Sequence, residues 1–282
     1  MSKYKYNKDY FEKIDTPDKA YWLGFLYADG CINRYYRNDK LKSMTLELGL
    51  SYKDKDHLEK FKYCLDTNVP IFEKTNKLNG QEYKSVRIQI NNTKLCYDLC
   101  DLGCTPHKTY DIKFPSYDIV PKELIRDFIR GFFDGDGCIS ISTMNNKPHI
   151  FTMITGMSDM LKSISDFLVS EKIIRINPAI LKDNRREHTY SMSIHGKDTN
   201  KEFLDYLYKD SNIYLDRKYK QYLDFYKDYD DKLEKRGVYY DKHNDVYVAS
   251  IYINGKRKTS RHKNIEDAIL ARKEAEIEKM NI

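Results

Sequence analysis

The chain has 282 residues, enough for two compact units or one duplicated unit, and its 40% hydrophobic and 13% aromatic content suits a globular core and excludes a disordered chain. Its 49 basic and 43 acidic residues leave a net charge of +6, a mild bias toward polyanions, of which eleven basic and seven acidic residues place +4 in residues 235–282. No run of about 18 apolar residues could span a bilayer, and the opening MSKYKYNKDYFEKIDTPDK lacks the apolar stretch of a signal peptide, so a soluble, intracellular protein with no membrane partner is expected.

In chain order, the first predicted element is a helix announced by Thr16-Pro17, since proline suits the first helical position. It runs through YWLGFLYADGCI at 21–32, and this segment recurs, 107 residues later, as FIRGFFDGDGCI at 128–139, there preceded by Pro121 and Glu123. At that one offset Gly24 pairs with Gly131, Asp29 with Asp136, Gly30 with Gly137 and Cys31 with Cys138, with no gap. Strand alternation follows each copy: Met44, Leu46, Leu48 and Leu50, then Val86, Ile88 and Ile90, in the first; Ile139 and Ile141, then Tyr190, Met192 and Ile194, in the second. Helical patterns at 54–65, 92–102, 158–170 and 199–208 complete the order αββαββα, twice. The expected fold class is α+β, with a first repeat over 1–115, a second over 116–231 and a small domain over 235–282. The six cysteines, at 31, 64, 96, 100, 104 and 138, show no disulfide framework and are expected to be free thiols.

A glycine in the middle of an apolar helix lets another backbone approach, at a cost of about 1 kcal/mol in helix propensity. The two glycine-bearing helices are therefore expected to pack together, which sets Asp29 and Asp136 side by side where Gly30 and Gly137 turn the chain into strands. Two such carboxylates repel unless a cation joins them. A hard divalent ion, which takes oxygen ligands and keeps several waters, suits so small a donor set.

These two segments resemble the motif of the LAGLIDADG homing endonucleases: Trp22 to Gly30 in one copy and Ile129 to Gly137 in the other. Tyr27 replaces the first acid of the motif in the first copy, and Arg130 replaces a small residue in the second. The resemblance implies a pseudo-symmetric monomer whose two sheets form a saddle over double-stranded DNA, and a site-specific, metal-dependent double-strand endonuclease of homing type with a long asymmetric site. It implies Mg²⁺, which Mn²⁺ can replace, at Asp29, Asp136, Gly30 and Gly137. By position, Lys108 and Lys218 stand where the family has a lysine that stabilises charge, and Tyr52 and Gly156 where it often has a glutamine. Base or phosphate contacts would come from Asn33, Tyr35, Arg37, Arg87 and Gln89 in one sheet and Ser140, Ser142, Ser191 and Ser193 in the other. The alternative is a scaffold that does not cut, acting as an RNA splicing maturase or a DNA-binding regulator.

From 235 onward the composition changes. Val246 and Val248, then Ile251 and Ile253, alternate as strands, Asn254-Gly255 signals a hairpin, and Asn264 caps a helix with Ala268, Ala271 and Ala275 on one face. Three short strands and a helix are expected. The stretches Gly237-Val238-Tyr239, VYVASI, NGK and EDAILARKEAE resemble the ethylene-response-factor (Apetala-type) DNA-binding domain, which implies DNA contacts by Arg236, Tyr239, Tyr247, Lys256, Arg257, Lys258, Arg261 and Lys263.

Overall fold

A computed structural model describes residues 4–78, 80–106, 112–144, 147–184, 186–227 and 235–280. Lys108 lies outside them. The chain divides into two compact units, Met1–Tyr222 and Leu223–Ile282, the first of which holds both repeats.

The first repeat runs α1 (Pro17–Asp29), β1 (Gly30–Arg37), β2 (Lys40–Ser51), α2 (Lys55–Cys64), β3 (Phe72–Leu78), β4 (Gln81–Asn91) and α3 (Thr93–Asp101). The second runs α4 (Ile125–Asp136), β5 (Gly137–Met144), β6 (Lys147–Gly156), α5 (Ser158–Ser170), β7 (Ile180–Lys182), β8 (Tyr190–Ile194) and α6 (Lys197–Tyr208), and is followed by α7 (Asp216–Tyr226). Each repeat forms one antiparallel four-stranded sheet, in the orders β1-β2-β4-β3 and β5-β6-β8-β7. Thr16 caps α1 by accepting from the Lys19 amide at 3.3 Å. The second repeat starts differently from the expectation: Pro121 opens a single tight turn at Lys122–Leu124, and α4 begins only at Ile125.

The alternation predicted for the strands is visible as burial. Met44, Leu46, Leu48, Val86, Ile88, Ile90, Ile139, Met192 and Ile194 face the core, while their polar neighbours do not. Leu50 and Tyr190 are only half-buried, and Ile141 is 46% exposed, in the part of β5 that reaches toward the hairpin end. The β1–β2 hairpin turns through Asn38 and Asp39, both at positive φ, the geometry of a tight turn that matches strand twist. A bulge between Tyr35 and Tyr36 puts one extra residue into β2, so Gly30 pairs with Leu48 while Gly137 pairs with Ile154, and the offset between repeats drops to 106 beyond it.

The second unit contains β9 (Val238–Asp241), β10 (Val246–Ile253), β11 (Lys256–His262) and α8 (Ile265–Met280), with strand order β11-β10-β9. Asn254 and Gly255 take positive φ at the expected hairpin, and the Asp267 amide donates to Asn264 at 2.8 Å. All six cysteines are free. No helix among the described residues is long and apolar enough to cross a membrane.

Candidate active site at the paired helix ends

Helices α1 and α4 are held together by a reciprocal contact of glycines. A Cβ built on Gly24 would lie 2.0 Å from the Phe128 carbonyl oxygen, and one on Gly131 would lie 1.9 Å from that of Tyr21. Phe128 is the counterpart of Tyr21 at the offset of 107, so each helix presents the same patch to the other, as across a two-fold axis. One turn on, a Cβ on Gly135 would meet the Ala28 Cβ at 2.3 Å and the Asp29 Oδ2 at 3.3 Å. These small residues bring the two C-terminal helix ends together. Asp29 and Asp136 are both exposed there, each at the negative end of a helix dipole, where a carboxylate favours cations over anions.

The other motif acid belongs to the fold. Asp134 is 1% exposed and accepts from the Tyr21 hydroxyl at 2.8 Å, the Tyr208 hydroxyl at 2.6 Å and the Leu215 amide at 2.8 Å. Burial raises its carboxyl above the usual range, while Lys218 and the three hydrogen bonds oppose the rise. Tyr27, its counterpart in the first helix, donates to the Leu102 carbonyl. Both side chains thus tie the motif helix to the chain that follows their repeat's last helix, so a tyrosine can stand for the first acid.

The Tyr21 hydroxyl also lies 3.0 Å from His57 Nε2. Its one proton goes to Asp134, so His57 Nε2 carries the proton of that contact and Nδ1 is left without a partner. Burial, then the charges of Lys60, Arg217 and Lys218, push the imidazole down to about 3. A neutral imidazole is thus part of the native state. Its stabilising contribution is complete above the unfolded value near 6.5 and is lost as pH falls toward 3. The expected result is a loss of about 1.4 kcal/mol per pH unit across that window relative to His57→Gln. Urea unfolding of the two proteins at stepped pH checks this, and parallel profiles would refute a buried neutral imidazole.

Lys218 is not the exposed cation that its sequence position suggests. It is 1% exposed, and its ammonium donates to the Phe133, Asp134 and Gly137 carbonyls at the end of α4. Burial lowers it to about 8, and Asp134 and Asp29 oppose this. Its charge lies beneath the acids, and it occupies the Gly137 carbonyl. Arg130, which takes a small residue's place in the motif, is also buried: it pairs with Asp127 at 2.7 Å and donates to the Ile213 and Leu207 carbonyls.

Two clefts flank the helix pair, each with one of the two exposed motif acids. The larger, about 930 Å³, holds Phe25, Asp29, Asp134 and Gly135, and the smaller, about 220 Å³, holds their offset counterparts Phe132, Asp136, Tyr27 and Ala28. Beyond the helices the clefts differ. Arg217, Asp54, Lys74 and Lys84 line the first; Arg186, His188 and Thr155 line the second. Sequence reasoning missed Arg217 and Asp54, which are 163 residues apart. The positions compared for a glutamine do not correspond either: in the register Gly156 matches Leu50, and Tyr52 lies two residues further on.

The open face of the first sheet carries Asn33, Tyr35, Arg87 and Gln89 together with Glu47, which no motif pointed to. Glu47 accepts from the Gln89 side-chain amide and lies 3.7 Å from Arg87 Nη1. Arg37 lies past the bulge, at the hairpin end. Ser140, Ser142, Ser191 and Ser193 share the open face of the second sheet with Phe151 and Met153. In the small unit, Tyr239, Arg257 and Arg261 share one sheet face, where Arg257 donates to Ser250 at 2.8 Å and to Tyr239. By alternation Tyr247, Lys256 and Lys258 take the opposite face, and Lys258 is paired there with Glu278 of α8 at 2.6 Å. Arg236 and Lys263 are exposed at strand ends.

Residues 129–229 match the model of the LAGLIDADG endonuclease family. The fold is that of the LAGLIDADG meganucleases. It is similar to the LAGLIDADG homing endonuclease I-LtrWI bound to target DNA, with a TM-score of 0.51 at 13% identity over 81% of this chain and 93% of that one. It is equally similar to meganuclease I-SmaMI bound to uncleaveable DNA, with a TM-score of 0.51 at 13% identity over 75% and 89% of the two chains. The probable translation initiation factor IF-2 of Methanocaldococcus jannaschii is 27% identical over 207 residues, 68% of this chain, and the match spans 15% of that relative's length.

Proposed function

We propose that this chain is a site-specific double-strand DNA endonuclease of homing type, a monomer that hydrolyses one phosphodiester in each strand of a long asymmetric site. The observation that carries this reading is the pair of exposed carboxylates, Asp29 and Asp136, at two helix ends brought together by reciprocal glycine contacts. The donor set fits Mg²⁺ or Mn²⁺: two hard oxygen ligands at an open position, with room for waters and phosphate oxygens. Among the described residues no cluster of three or more His, Cys, Asp or Glu could hold a metal alone. Asp29 and Asp136 would hold the ion, which when bound lowers the pKa of a water and stabilises charge on phosphate.

The chain's own residues supply the rest. The open sheet faces present polar side chains suited to base edges; the first carries Arg87, Gln89 and Glu47 and the second Ser140, Ser142, Ser191 and Ser193, so the two half-sites they read differ. Tyr239, Arg257 and Arg261 of the small unit add a second DNA contact, which raises affinity through effective concentration.

The test is cleavage of a random duplex library by purified protein with Mg²⁺ or with chelator, beside Asp29→Asn and Asp136→Asn. Metal-dependent cutting at one long sequence is expected, slowed by at least about 10²- to 10³-fold in either variant, the loss typical of removing a charge-stabilising group. A wild type that binds duplex without cutting would replace this reading with a DNA-binding regulator, and preferential binding of structured RNA with a maturase.

A further inference from the structure

Arg217 stands in the first turn of α7 and lines the cleft that holds Asp29. Its Nε lies 3.1 Å from both carboxylate oxygens of Asp54, which is 8% exposed, while the arginine side chain is 42% exposed. Asp54 thus grips the guanidinium by its inner nitrogen. Among the described residues the two terminal amino groups make no protein hydrogen bond, so this part-exposed side chain keeps a planar fork of donors for a ligand in the cleft. The neighbouring Lys218 ammonium is buried on three carbonyls of the α4 end, whereas Arg217 reaches the cleft.

The position is costly by local rules. Two consecutive cations occupy the first turn of a helix, the end where the dipole favours anions, and Arg217 lowers the proton affinity of both Lys218 and His57. Local rules are broken where a site requires it. A guanidinium fork matches two oxygens of a phosphate, and it keeps its charge at any working pH.

We infer that Arg217, aimed by Asp54, forks the scissile phosphate in the half-site of Asp29. This rests on the DNA-cleavage reading and deepens it. In the step itself a water oxygen bonds to phosphorus, the bond from phosphorus to one ester oxygen breaks, and the water proton passes to solvent or to the leaving oxygen. Arg217 transfers no proton and holds the charge that builds on the phosphate oxygens. The Asp136 cleft instead carries Arg186 and His188, so losing Arg217 impairs one strand.

The experiment uses the full chain and a supercoiled plasmid carrying the site selected from the random duplex library. Wild type is expected to give linear product. Arg217→Ala and Arg217→Lys are expected to accumulate open circle, with linear product formed roughly 10²-fold more slowly, at saturating protein and at a temperature where each variant is folded. Asp54→Asn should show the same strand bias more weakly, and Asp54→Glu should restore linear product. Millimolar guanidinium added to Arg217→Ala should speed the second cut, which a purely structural role would not allow. If wild type cuts and Arg217→Ala linearises the plasmid at the same rate, or loses both strands equally, the inference is wrong and the endonuclease stands. If wild type never cuts, the endonuclease reading falls and takes this inference with it.

Discussion

Gly131→Ala will destabilise the Met1–Tyr222 unit by about 3 kcal/mol or more, the upper end of what overpacking costs, although alanine is the better helix former by about 1 kcal/mol. The new methyl would sit 1.9 Å from the Tyr21 carbonyl oxygen and 2.8 Å from the Phe25 amide nitrogen. Both obstacles are backbone, so no side-chain rotation relieves the clash and the two helices must separate. Gly24→Ala, with its methyl 2.0 Å from the Phe128 carbonyl, should cost about as much. The pair of substitutions should cost clearly less than the sum, since the separation forced by one makes room for the other. Urea unfolding of the three variants measures this. A Gly131→Ala protein within about 0.5 kcal/mol of wild type would mean that the helices do not meet backbone to backbone.

Asp134→Ala will cost about 3–5 kcal/mol, whereas Asp136→Asn, two residues on in the same motif, will change stability by less than about 0.5 kcal/mol. Removing the Asp134 carboxylate strands two buried tyrosine hydroxyls and the Leu215 amide, and takes from Lys218 a charge that supports its ammonium. Each buried donor left unmet carries its own desolvation penalty of about 1–3 kcal/mol. Asp136 is exposed at the helix end, and its loss should be felt in cleavage only. Thermal unfolding and plasmid cleavage on the same two variants separate the roles; a stable Asp134→Ala protein would show that the network around Tyr21 is not a support of the fold.

The helix pair and its acids were legible because they rest on local chemistry repeated at a fixed spacing: a glycine within an apolar helix, then Asp-Gly at its end. Strand faces were legible from alternation until Ile141, where the strand reaches toward its hairpin end and burial no longer follows side-chain type. The cations were not legible. Nothing in the sequence around Lys218 shows that three carbonyls of α4 wait for its ammonium, and nothing ties Arg217 to an aspartate 163 residues away. Arg130 looked like a breach in the motif because its acceptors, the Ile213 and Leu207 carbonyls, come from a segment more than 70 residues downstream. The one available hint was electrostatic: two adjacent basic residues at the start of a helix.

The helix interface also decides which halves marry. At the offset of 107, the contact of Tyr21 with Asp134 has a mirror in that of Phe128 with Tyr27, whose rings meet edge to face at 5.1 Å. One contact is a hydroxyl on a carboxylate and the other is hydrocarbon on hydrocarbon. Two copies of the second helix would set the Asp134 carboxylate against a phenyl ring with no proton to give, and would bring two buried guanidiniums into one seam. Two copies of the first would leave both Tyr21 hydroxyls facing tyrosines rather than an acid. The glycines make the surface able to pair with itself, and the single Tyr/Phe and Asp/Tyr exchange makes it choose its complement, so separated halves of this chain should find each other in preference to their own kind.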